Sequence, residues 1–249
     1  MRKAIEHEGE LSINKHGTVM EIIEYINNRN VLVEFQDNYK YITRTNYQAF
    51  KKGEVKNVYD KTVYNIGYIG EGNYSHKSHP RIYNIWRHML GRCYDDVVLS
   101  SNPTYYDCYT ADEWHCFQNF AKWYDDNYYE IPGESMELDK DILCKGNRIY
   151  SPDTCVFVPQ YINTLIVKND ADRGELPIGC YYHCGSIYAS CSIRNDSVFL
   201  GVYDDINEAF NVYKEFKEDY IKKVADEYRD YIPTNLYEAM YNWVVEIND

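Results

Sequence analysis

LDKDILCKGNRIYSPDTCVFVPQYIN, residues 138–163, reads as two short strands, a connecting loop and the start of a helix. Residues 138–143 and 154–158 supply the strands, joined through the Gly146-Asn147 turn region. Pro159 suits the first position of a helix, and Ile162, Leu165 and Ile166 give that helix an apolar face. Upstream, Ile82, Ile85, Trp86, Met89, Leu90 and Cys93 fall on one stripe of an amphipathic helix over 81–94. Thr110 and Glu113 have capping-box spacing and predict a second helix starting at Thr110.

Farther out the pattern changes. Residues 19–26, 31–36 and 39–45 read as strands separated by Asn-rich turns, forming a small curled sheet. The glycines Gly67, Gly70 and Gly72 mark a loop; no strand, Gly-rich turn and helix follow in the order a nucleotide loop needs. Residues 177–183, 187–193 and 198–203 read as three strands, followed by a long helix capped by Asp204 or Asp205. A short helix near 235–242 and a closing strand at 243–246 complete the reading. The expected fold class is α+β: a β-barrel-like module at 1–75, a central ββα with flanking helices at 76–170, and a three-stranded sheet plus long helix at 171–249.

Charge narrows the function classes. The 249 residues carry a net charge of −13, unevenly spread. Residues 1–75 balance 10 basic against 10 acidic residues, 76–170 hold 9 against 14, and 171–249 hold 7 against 15. A duplex-binding surface should be basic, because phosphate neutralisation supplies most of its affinity. The one basic stretch, Lys40 to Lys61, makes Lys40, Arg44, Lys51, Lys52 and Lys56 the candidate nucleic-acid contacts. No run approaches the roughly 20 apolar residues of a membrane span, and no apolar signal core follows the N-terminus, so the expected setting is the cytoplasm. Eight cysteines without a C-x-x-C pair read as reduced, mostly buried thiols; the Cys180, His183, Cys184 cluster matches no standard zinc module. The 28 tyrosines include Tyr181, Tyr182 and Tyr188 on the C-terminal sheet, where exposed rings make good partner contacts.

Residues 138–163, together with WRHMLGRCY (86–94) and DEWHCFQNFAKW (112–123), resemble a family of phage HNH-like proteins in the order of their motifs. The stretch 176–210 resembles the DNA-binding module of the plant ethylene-response-factor (APETALA-like) type, which often follows HNH domains in phage homing-type endonucleases. The first 75 residues and the ending YEAMYNWVVEIND are also similar to those of such phage proteins. The resemblance implies a ββα holding one divalent metal, with a histidine base beside a metal-binding aspartate. Asp139 matches that aspartate and Asn163 the helix ligand; Lys140 stands where the histidine should be, and Thr154 at the second-strand Asn position.

A lysine of ordinary pKa, about 10.4, is a poor base at neutral pH. Asp141 is the candidate substitute, although strand alternation aims it away from Lys140. The scaffold therefore reads as degenerate. The C-terminal module has lost charge in parallel, with Arg194 its one Lys or Arg between Pro177 and Tyr203.

The expected function is binding of a host protein, as an acidic inhibitor of a host defence system of the anti-CRISPR type, with no cofactor. The alternatives are an active endonuclease or nickase using Mg²⁺ at Asp139 and Asn163, or a non-catalytic DNA binder. Tyr181, Tyr182, Tyr188 and Arg194 join the basic stretch as DNA or partner contacts.

Overall fold

The computed structural model describes residues 7–166, 176–194 and 196–247; the expected boundary at 170/171 lies outside them. The chain is mixed α and β, with several small sheets. It divides into two compact units, Met1–Asp126 and Asn127–Asp249.

In the first unit, alternation in the sequence becomes a four-stranded antiparallel meander. Strands β1 (Leu11–Ile13), β2 (Val19–Asn27), β3 (Asn30–Phe35) and β4 (Ile42–Thr45) pair in that order. Asn27 Oδ1 accepts the Arg29 amide at 2.9 Å, the side-chain-to-backbone bond that makes Asn a turn former. Met20, Ile22, Val31, Val33 and Phe35 point to one face and bury against Phe50 and Val55. Phe50 comes from helix α1 (Tyr47–Lys51), whose N-terminus is capped by Asn46 Oδ1 on the Ala49 amide.

Helix α2 (Pro80–Tyr94) begins on its proline and buries Ile82, Trp86, Met89, Leu90 and Cys93. Helix α3 (Asp96–Ser101) follows, capped by Asp95. The expected helix start at Thr110 is not observed. Thr110 lies in the two-residue strand β5 (Tyr109–Thr110), and helix α4 (Phe117–Asn127) starts seven residues later, after a 3₁₀ turn at Asp112–His115. Tyr94 explains the difference: its hydroxyl oxygen accepts the Thr110 amide at 3.1 Å and meets the Thr110 hydroxyl at 3.2 Å, so that hydroxyl caps no helix. The glycine-rich loop is tied to α4 through Gln118, which donates to the Ile69 and Tyr74 carbonyls. A side chain at Gly70, where φ is +75°, would meet Cys116 Sγ at 2.6 Å, so its glycine serves packing.

In the second unit, strand β6 (Met136–Asp139) pairs antiparallel with β8 (Val156–Pro159), and helix α5 (Gln160–Ile166) follows directly. Between them lies the two-residue strand β7 (Ile149–Tyr150). Strands β9 (Cys180–His183), β10 (Ser186–Ile193) and β11 (Asp196–Tyr203) form a sheet of order β11-β10-β9. Helix α6 (Ile206–Tyr228), N-capped by Asp205, packs on the face carrying Ile187, Ala189 and Cys191. Helix α7 (Thr234–Tyr241) follows it.

Val156, Val158, Ile162 and Leu165 share one core with Ile221, Val224, Leu236 and Met240. The tail at 243–246 is not a strand. Side chains satisfy its backbone instead: Lys145 Nζ donates to the Val244 carbonyl, Lys214 Nζ to the Val245 carbonyl, and the Val245 amide donates to Glu218.

Candidate functional site

Strand β6 stops at Asp139 because Asp139 begins a turn. Its Oδ1 accepts the backbone amides of Asp141 at 2.8 Å and Ile142 at 2.7 Å. Burial pushes the Asp139 carboxyl above the usual carboxylate range, against the opposing pull of those two amides. Since the strand has ended, alternation no longer governs the next two residues. Lys140 and Asp141, expected on opposite faces, meet each other, with Lys140 Nζ 2.6 Å from Asp141 Oδ2.

Lys140 is only 5% exposed. Its ammonium also donates to the Asn147 carbonyl at 3.0 Å and sits 5.7 Å from the centre of the Tyr150 ring. Asn147 closes the loop from the other side, donating to the carbonyls of Lys140 at 2.8 Å and Ile149 at 2.7 Å. Lys140 is therefore a clasped cation, and Asp141 is its counter-ion.

The register pairs Glu137 with Val158 and Asp139 with Val156, which sets both acids on the face of the strand pair that carries those valines. Asn163 Nδ2 donates to Glu137 Oε2 at 2.5 Å, so the structure joins Asn163 to Glu137. Thr154 Oγ1 donates to the Ile149 carbonyl and meets Ser151 Oγ, serving the loop. Glu137 and Asn163 are thus in contact and Asp139 shares their strand face, while Asp139 Oδ1 is already occupied by two backbone amides. Among the described residues there is no group of three or more His, Cys, Asp or Glu able to hold a metal.

Three of the five candidate cations are paired in space. Lys40 reaches Glu34 at 3.5 Å, Arg44 reaches Glu24 at 2.9 Å and Lys51 reaches Glu10 at 2.6 Å. The Lys51 ammonium holds the Glu10 carboxyl below the usual range. Lys52 and Lys56 are exposed and make no ion pair among the described residues.

The C-terminal sheet presents one open face. Tyr188 lies opposite Tyr181 on one side and Val202 on the other. Ring centres of Tyr181 and Tyr188 are 5.6 Å apart, and those of Tyr188 and Phe199 are 5.7 Å apart, so an aromatic row crosses all three strands. His183 packs edge-on against Tyr188. Tyr182 is not part of this row; it pairs with Ile187, whose side chain faces α6. Arg194 also leaves the face: its guanidinium lies 5.3 Å over the Tyr161 ring and 3.5 Å from Glu227 of α6. The row itself carries no Lys or Arg.

No family model, curated protein or solved structure matches this chain.

Four participants escaped sequence reasoning. Glu137 is two residues from Asp139, and strand periodicity places it on the same face, a signal that was present. Phe199 was legible only as a strand residue, because a bulge at Ala189/Ser190 sets its partner. The stacked pair Tyr39 and Tyr59, 3.9 Å apart and within 5° of parallel, joins residues twenty positions apart and left no local signal.

Proposed function

We propose that this chain is a phage-type binding protein built on a degenerate HNH-like scaffold: a small β-barrel-like module, a central ββα and a C-terminal three-strand-plus-helix module. It engages a host protein in the bacterial cytoplasm, as an acidic inhibitor of a defence nuclease. One observation carries the reading: the ammonium of Lys140, held by Asp141 and the Asn147 carbonyl, stands where such a scaffold needs a proton acceptor. The pairing of Lys40, Arg44 and Lys51 with glutamates, and the uncharged Tyr181–Tyr188–Phe199 row, support it. A chain of net charge −13 competes for a nuclease's DNA groove by electrostatic complementarity. The aromatic row supplies rigid apolar anchors of the kind found at interface hot spots.

A supercoiled-plasmid assay with Mg²⁺ or Mn²⁺ tests this. No nicking above background is expected from the wild type or from Asp139→Ala. Metal-dependent cleavage abolished by Asp139→Ala would overturn the reading. The second reading is a metal-dependent endonuclease, favoured by the Glu137–Asn163 contact on the strand face that also carries Asp139.

A further inference from the structure

In the first unit, His16, Asp37, Tyr39, Tyr59, Asp60 and Lys61 line a cleft of about 400 Å³, within the size range of small-ligand sites. Both carboxylates in it are held by neutral donors. Asp60, which is buried, accepts Asn14 Nδ2 on one oxygen and Thr18 Oγ1 on the other, each at 2.7 Å. Asp37 accepts the amides of Tyr39 and Lys40 on one oxygen and Asn57 Nδ2 on the other. Neither is in an ion pair among the described residues, although Lys61 and His16 also line the cleft. Two fixed negative charges are thus oriented without a cationic partner.

The aromatic wall is equally fixed. Tyr39 lies flat on Tyr59, and the Tyr59 hydroxyl donates to Glu71 at 2.8 Å. Tyr39 remains 52% exposed, with Tyr59 stacked on it and the Tyr68 ring 5.9 Å away.

We propose that this cleft takes the guanidinium of an arginine presented by another protein. An anion would meet two carboxylates. A metal ion would have to compete with the hydrogen bonds that already occupy the carboxylate oxygens. A guanidinium is planar, weakly hydrated, and stacks on an aromatic face while its N–H groups reach the remaining carboxylate lone pairs; a lysine ammonium is compact, more strongly hydrated and cannot stack. The inference concerns a different unit from the Lys140 site and holds whether or not the chain cleaves DNA.

The test is an amide-resolved NMR titration of the full chain with the capped tripeptide Gly-Arg-Gly. Saturable shifts confined to the amides of Asp37, Asn38, Tyr39, Asp60 and Lys61 are expected. Binding should weaken about 5- to 10-fold in Tyr39→Ala, the scale of one cation–π contact. The lysine tripeptide should bind more weakly, and the neutral citrulline tripeptide should produce no saturable shift. Asp60→Asn, which keeps an acceptor at that position, should also weaken binding. Absence of saturable shifts, equal binding of the citrulline peptide, or tighter binding of adenosine monophosphate at the same residues would each overturn the proposal, the last by making the cleft a nucleotide site.

Discussion

Replacing Lys140 with methionine keeps the buried aliphatic stem and removes only the ammonium. The Asn147 carbonyl then loses its charged donor, and a half-buried acceptor left unmet costs part of the roughly 1–3 kcal/mol of a fully buried one. The ion pair itself contributes less, because Asp141 is 47% exposed and solvent screens it; its share is nearer the ~1 kcal/mol of a surface pair than that of a fully buried one. Removing a desolvated charge returns part of this. A net loss of about 1 kcal/mol is expected, or a fall in Tm of roughly 3–6 °C for a unit of this size. Urea and thermal unfolding followed by circular dichroism measure it. Asn147→Ala should cost a similar amount, and the double variant should fall short of the sum, since both side chains close one loop. If Lys140→Met unfolds within about 0.5 kcal/mol of wild type, Lys140 is not clasped and remains free for another task.

Other outcomes follow from the same geometry. Asp139→Asn keeps the acceptor for the Asp141 and Ile142 amides and removes a charge that burial disfavours. Because the folded pKa lies above the unfolded one, the charge penalises the fold at high pH and the penalty fades as pH falls through the folded value. The variant should gain most over wild type near pH 8 and lose that advantage toward pH 4, as urea melts would show; an advantage growing in acid refutes the assignment. A mobility-shift assay with a short duplex should show no binding at physiological salt. A shift with steep salt dependence that Lys51→Ala, Lys52→Ala and Lys56→Ala remove would restore the DNA-binding alternative. Tyr188→Ala combined with Phe199→Ala should leave the circular dichroism spectrum intact while releasing proteins that the wild type retains from a bacterial lysate. In thiol labelling, exposed Cys144 and Cys184 should react first, and buried Cys155, with its thiol pushed up to about 12, should react last.

Strong periodicity was legible and local. The 3.6-residue stripe of α2 places its buried residues as read except Ile85, which is half-buried, and the strands read at 19–26 and 31–36 are β2 and β3. The misread positions share one cause: a side chain claims backbone that a pattern assigns to regular structure. Asp139 ends β6 by capping the next amides, Tyr94 occupies Thr110, and Lys145, Lys214 and Glu218 take the tail's polar groups. Ion pairs such as Arg44 with Glu24 join residues twenty positions apart, so a charge count along the chain could not show which cations of the basic stretch are paired. At the candidate site the order of strand, loop, strand and helix was legible, but the partners of Lys140 and Asn163 depend on where the strand stops and which acid shares its face.

The apolar side of the β6–β8–α5 segment leans on α6 and α7 for its cover. Moving this segment from one gene to another would thus have to carry its two helices along. A piece severed near residue 170 would leave Val158, Ile162 and Leu165 facing water, inviting clumping and proteolysis. The seam along which such a gene can be recombined is set by that shared oily interior, and it need not coincide with the edge of any recognisable motif.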